Sequence, residues 1–276
     1  MIEIGVYHDL DIIREAEQGI YLSDKEGNEV LLPNRYVPEQ FKIWDTIKVF
    51  VYLDNDERLV AVTDEPYITK GDFALLRCNA VTDFGAFLDW GMLKELFCPF
   101  KEQAFKMKKG GWYLVYCYQD EKTERLVASS KTNRFLDNTT LSVSQFDEVE
   151  IIISHPSEFG MNVIVNKLHS GLIYKDDIYK EIHIGDRHRA YIKKVRHDNK
   201  LDISLNQSGY RNIEPTSQII LDALNDNSGF LPLHDKSSPE EIKAELQMSK
   251  KAFKKAIGSL YKSRKIDIKT DGIYLK

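Results

Sequence analysis

The chain has 276 residues, 42% of them apolar and 29% charged, with 38 basic against 43 acidic side chains and a net charge of −5. That length exceeds what one core usually organises, so two or more domains are expected. The longest apolar runs are strand-sized, well short of the roughly 20 residues a membrane helix needs, and Met1-Ile2-Glu3-Ile4-Gly5 has neither the basic nor the apolar region of a secretory signal.

A soluble protein of the cytoplasm is therefore expected, with no membrane partner. Cys78, Cys98 and Cys117 stand singly, without the CxxC spacing of a zinc site or the pattern of a disulfide framework. They are expected to be small, reduced core residues.

In chain order, one strand ending recurs three times: Arg58-Leu59-Val60-Ala61-Val62, Arg125-Leu126-Val127-Ala128-Ser129 and Lys200-Leu201-Asp202-Ile203-Ser204-Leu205. Each follows an acidic or polar turn and a long β-rich run, such as Ile47 to Tyr52 or Trp112 to Tyr116. Every unit thus closes with a hairpin. Alternation and β-branched residues suggest about five short strands per unit, with a short helical or irregular stretch between the third and fourth, which is the count of a small OB-type barrel. Turn formers cluster near Glu65-Pro66, around Asp137 to Thr140 and near Ser208-Gly209. These breaks give barrels over residues 1–65, 66–140 and 141–210, and a fourth domain over 211–276.

The fourth domain reads as helical. Ile219, Ile220, Ala223 and Leu224 recur at helix spacing. A second helix opens at Ser238-Pro239-Glu240-Glu241, where Ser238 and Glu241 suit a capping box and Pro239 the first helical position. A third runs from Ser249 with Phe253, Ala256, Ile257 and Leu260 on its apolar side, and Ile266 to Leu275 reads as a hairpin turning at Asp271-Gly272. Three helices and a hairpin predict a winged helix. The fold class is thus mainly β: three tandem OB-type barrels followed by a winged helix.

Charge is divided unevenly. Residues 1–65 carry 6 basic and 15 acidic groups, whereas the later units are close to balance. Between Gln247 and Ile266 there is no acidic residue, while Lys250, Lys251, Lys254, Lys255, Lys262, Arg264 and Lys265 are basic, mostly away from the apolar stripe. A basic helix of this kind suits phosphate, either in a DNA groove or as part of an RNA-binding surface. The acidic first barrel would repel phosphate and is expected to be structural or to meet a protein partner.

Val81-Thr82-Asp83-Phe84-Gly85-Ala86-Phe87-Leu88-Asp89-Trp90-Gly91 resembles the hallmark stretch of S1 RNA-binding domains. By that resemblance Phe84 and Phe87 form a platform for unstacked bases and Arg125 meets phosphate. Strand alternation alone would leave only one of the two rings outside, because their numbers differ by an odd number. The histidine typical of the third strand is replaced, by Cys98 in this barrel and by Tyr174 in the next. The third barrel keeps Phe159-Gly160, with Asn162 in place of the second Phe. Its fourth strand, Arg187-His188-Arg189-Ala190-Tyr191-Ile192-Lys193-Lys194-Val195-Arg196, interleaves basic and aromatic residues as an RNA-tracking groove would.

No catalytic set is found: there is no phosphate loop or nucleophile elbow, and His183 with His188 lacks the i, i+4 spacing of a helical metal pair. No cofactor, metal or small-molecule substrate is expected. The whole architecture, with Ser238-Pro239-Glu240-Glu241-Ile242 and the run from Met248 through Lys262, resembles the conserved virulence factor B family of bacterial RNA-binding regulators. That resemblance implies RNA binding without catalysis, a surface shared by the third barrel and the winged helix, and a role in post-transcriptional gene regulation. Two other readings stand beside it: a winged-helix regulator that binds duplex DNA, and a protein-interaction adaptor docking through the acidic first barrel.

Overall fold

The computed structural model describes residues 1–178, 181–205 and 215–276. The expected break at Ser208-Gly209, and with it the boundary between residues 210 and 211, lies outside the described residues. The expected fold class is the one adopted: three closed five-stranded barrels and a small helical and sheet region. The first comprises β1 (Tyr7–Ala16), β2 (Gly19–Ser23), β3 (Glu29–Pro33), β4 (Thr46–Leu53) and β5 (Leu59–Val62). The second comprises β6 (Phe73–Val81), β7 (Gly85–Asp89), β8 (Leu96–Pro99), β9 (Trp112–Gln119) and β10 (Leu126–Ser129). The third comprises β11 (Glu148–Pro156), β12 (Gly160–Val165), β13 (His169–Tyr174), β14 (Arg187–Val195) and β15 (Leu201–Ser204). In each, a single 3₁₀ turn follows the third strand, and that strand lies beside the fifth.

One glycine position recurs in all three barrels. A Cβ added to Gly19, Gly85 or Gly160 would stand 2.0, 2.5 or 1.9 Å from the carbonyl oxygen of Leu32, Cys98 or Ile173 on the neighbouring strand. Only a residue without a side chain lets the second strand start this close to the third. This contact aligns the three barrels residue by residue.

The chain packs as two compact bodies: Met1–Leu141 with Glu150–His188 and Asp198–Lys200, and Ser142–Val149 with Arg189–His197 and Leu201–Lys276. In the first body, one buried apolar cluster runs from Leu10, Phe50 and Tyr52 of barrel one to Leu88, Trp90 and Met107 of barrel two. Trp90 sets its ring edge-on to Phe50 and Tyr52, with centroids 5.8 and 5.9 Å away. Phe73 and Leu114 of barrel two pack with Ile152 and Ile164 of barrel three. Above that contact, the Asp72 carboxylate accepts from Lys167 Nζ at 2.7 Å and pairs with Arg187 at 3.3 Å, and the Arg187 guanidinium also donates to the Phe73 carbonyl at 2.5 Å.

In the second body, α1 (Pro215–Asp226), β16 (Phe230–Leu231), α2 (Pro239–Leu246), α3 (Lys250–Lys262), β17 (Ile266–Ile268) and β18 (Ile273–Leu275) form the winged helix. The capping box is present: Ser238 Oγ accepts from the Glu241 amide at 3.2 Å, and the Glu241 carboxylate accepts from the Ser238 amide at 2.7 Å. Phe253, Ala256, Ile257 and Leu260 are buried on one side of α3, against Ile220 and Leu224 of α1 and Ile242 of α2. The two-residue strand β16 pairs with β18 and makes the sheet three-stranded. It is too short to leave an alternation pattern.

Candidate nucleic-acid interface

In barrel two, β7 turns Ala86 and Leu88 into the core and Phe87 outward. Phe84 does not belong to the strand. It sits in the turn closed by the Thr82 amide donating to the Gly85 carbonyl at 2.8 Å, and its side chain is 79% exposed. Alternation therefore does not apply between Phe84 and Phe87, and both rings lie outside the barrel, where alternation alone would leave only one. On β8, Phe97 pairs with Phe87, the two ring centroids lying 5.1 Å apart. Cys98 next to it faces inward, and burial pushes its thiol up to about 12.

The recurring glycine also corrects the placing of the family histidine. Gly85 pairs with Pro99 and Gly160 with Tyr174, so Tyr174 corresponds to Pro99, while Cys98 corresponds to Ile173. Cys98 and Tyr174 therefore do not occupy one equivalent place.

Phe84, Phe87 and Phe97 line a cleft of about 840 Å³ that barrel one completes with its terminal hairpin. Asp54 organises that hairpin: its carboxylate accepts from the Asp56 and Arg58 amides, each at 2.9 Å, and from the Arg58 guanidinium at 2.7 Å. The hairpin then meets the two cations of barrel two that flank the aromatic shelf. Lys94 Nζ donates to the Asp54 carbonyl at 2.6 Å, and Arg125, just before β10, forms an ion pair with Glu57. Burial holds the Lys94 ammonium below the ordinary lysine range. A surface of aromatic rings beside an arginine and a partly desolvated lysine suits a base stacked on carbon and a phosphate held by charge. Phe97, Lys94 and Glu57 belong to no motif that sequence reading recognises; only Phe97 left a signal, since an inward Cys98 requires an outward neighbour.

The other barrels differ at the same positions. In barrel one the residue equivalent to Phe87 is Tyr21, whose ring is covered by its own Arg14, 3.5 Å from the centroid, while Arg14 is held by Glu29 at 2.8 Å. In barrel three it is Asn162, whose amide donates to the His155 carbonyl at 3.4 Å. Phe159, equivalent to Phe84, is 63% exposed, and Tyr174 is half-buried.

The four Arg and Lys residues of β14, with Arg196 just after it, separate into two groups. Arg187 is engaged with Asp72, and Arg196 forms an ion pair with Asp202 at 2.9 Å. Arg189 is exposed, 3.6 Å from Glu148, and Lys193 and Lys194 are both exposed although adjacent. A register shift between Ile192 and Lys194 is the reason: a bulge there breaks the alternation that would have turned one lysine inward.

On α3, Lys251, Lys254, Lys255 and Lys262 are exposed, and Lys250 is half-buried at the first turn. No acidic residue occupies that turn, so lysines stand at the positive end of the helix dipole, where they are unfavourable. Among the described residues, no group of three or more His, Cys, Asp or Glu is placed to hold a metal ion, and no helix is long and apolar enough to cross a membrane.

The fold and these surfaces define a protein built from nucleic-acid-binding modules, S1-type barrels and a winged helix. A CvfB-like winged-helix domain matches residues 218–275, and an S1 domain matches residues 4–64, the barrel in which Gln18 rather than a phenylalanine precedes the recurring glycine. The chain is similar to the conserved virulence factor B proteins: that of Staphylococcus epidermidis is 25% identical over 282 residues, covering 99% of this chain and 94% of that protein. The uncharacterized protein YitL of Bacillus subtilis is 25% identical over 266 residues, covering 93% and 88%. A crystal structure of a multidomain protein with nucleic acid binding domains from Streptococcus pneumoniae is 28% identical, covers 99% of this chain and 98% of that one, and superposes with a TM-score of 0.43.

Proposed function

We propose that the chain is a non-catalytic, cytoplasmic protein that binds single-stranded RNA and acts in post-transcriptional gene regulation. The observation that carries this reading is the cleft in which Phe84, Phe87 and Phe97 lie beside Arg125 and Lys94. Rings on the outside of a barrel contribute about 1–3 kcal/mol per stacked base, and unstacked bases are available in single strands rather than in a duplex. Lys193 and Lys194 of barrel three and the lysines of α3 add phosphate attraction, which supplies affinity without sequence preference.

The basic face of α3 also favours a second reading, in which the winged helix takes duplex DNA. A salt titration of labelled single-stranded RNA, with duplex DNA of equal length as competitor, separates the two. RNA binding that survives the competitor and weakens in a Phe84→Ala/Phe87→Ala double variant supports the first. Displacement by duplex DNA, with affinity indifferent to both rings, supports the second.

A further inference from the structure

Near the middle of α3 stands Gly258, in a helix interior where glycine is the least favourable residue short of proline. The usual structural reasons for such a glycine are missing here. Its backbone is not among those with positive φ, and a Cβ built on it would meet nothing within 4 Å. It does not end the helix either, which continues to Lys262 and is capped by Ser263.

Its position on the helix is informative. With about 3.6 residues per turn, Gly258 falls on the same face as Lys251, Lys254, Lys255 and Lys262, opposite the buried stripe of Phe253, Ala256, Ile257 and Leu260. This face is exposed throughout, and no acidic residue interrupts its charge between Gln247 and Ile266. Lysines one turn to either side of a position without a side chain leave a shallow notch of bare backbone between cationic walls. A polyanion whose charged groups lie along a ridge fits such a notch; an apolar helix or strand does not.

We infer that α3 seats the sugar–phosphate backbone of a nucleic acid strand directly against Gly258, with the flanking lysines neutralising successive phosphates. The inference rests on the nucleic-acid-binding reading given above. The glycine is unfavourable in the free helix and useful only when the strand is bound, so stability and binding should move in opposite directions when it is replaced.

The test uses the full chain with two probes, fluorescein-labelled oligouridylate and a labelled DNA duplex. Gly258→Ala is expected to raise the thermal midpoint while weakening the bound probe about tenfold, as a methyl group lifts the backbone out of contact. The slope of affinity against salt should stay unchanged, because no charge is removed. Whichever probe loses affinity identifies the form of strand seated there. Ser259→Ala, which improves helix propensity beside the notch without filling it, should raise stability and leave affinity as in the wild type. A Gly258→Ala protein that binds both probes with wild-type affinity overturns the inference. If Lys251→Glu/Lys254→Glu weakens binding in that same experiment, the basic face survives and only the close approach is lost. If neither probe binds the wild type, or the lysine variant binds like it, the nucleic-acid reading of α3 falls and the inference falls with it.

Discussion

Glu57, at the tip of the barrel-one hairpin, forms an ion pair with Arg125 of barrel two at the mouth of the aromatic cleft. A carboxylate thus occupies the arginine that a phosphate would use. Removing its charge with Glu57→Gln should strengthen single-stranded RNA binding. The pair is half-exposed on both sides, and exposed pairs are worth about 0.2–1 kcal/mol, so the gain should be a few-fold. Fluorescence anisotropy at low salt reads it. Arg125→Ala should weaken binding, and weaker binding by the Glu57→Gln protein would show that the carboxylate supports the site rather than competing for it.

Phe84 is exposed in a turn and packs no core. Phe84→Ala should therefore change stability by less than about 0.5 kcal/mol, yet lower RNA affinity by about 1–3 kcal/mol. Chemical denaturation and RNA titration of the same protein check both halves. Phe87, half-buried against Phe97, should lose affinity and stability together when truncated.

Arg187 and the pair Lys193 and Lys194 lie on one strand but should respond differently. Arg187→Ala breaks the contact with Asp72 and the Phe73 carbonyl and should cost about 1.5–3 kcal/mol of stability, the range for hydrogen bonds to charged groups. Lys193→Ala and Lys194→Ala should each reduce the slope of log affinity against log salt by roughly 1 while leaving the unfolding midpoint in place. An unchanged slope in both lysine variants would remove β14 from the binding surface.

Asp72 provides a test by pH. Burial raises its carboxyl pKa, but hydrogen bonds from Lys167 and the Phe73 amide and the charge of Arg187 outweigh it and hold the pKa below the ordinary aspartate value. A lowered folded pKa means the contribution is complete above the unfolded value, near about 3.9, and is lost as pH falls from there through the folded value. Stability followed from neutral pH into strong acid should fall in that window, and Asp72→Asn should be less stable at neutral pH with a shallower acid decline. Parallel acid profiles for the two proteins would mean that other carboxylates dominate.

Much of the architecture was legible because its causes are local. The three closing hairpins, the capping box at Ser238 and Glu241 and the apolar stripe of α3 each depend on residues within a few positions of one another, where turn chemistry and helix or strand period act directly. The outward pair Phe84 and Phe87 is legible only in part: the motif points to both residues, but strand alternation does not extend across the turn that holds Phe84.

Contacts between partners far apart in the chain could not be read in this way. Glu57 reaches Arg125, Arg187 reaches Asp72 and Phe97 pairs with Phe87 only after barrels close and pack on one another. The bulge that exposes both Lys193 and Lys194 is a matter of register between β14 and β15, which composition does not record. Local pattern and the chemical character of each surface are already written in the order of the residues. The structure decided which cations stay accessible to a phosphate, because an ion pair depends on distance across the fold and not on spacing along the chain.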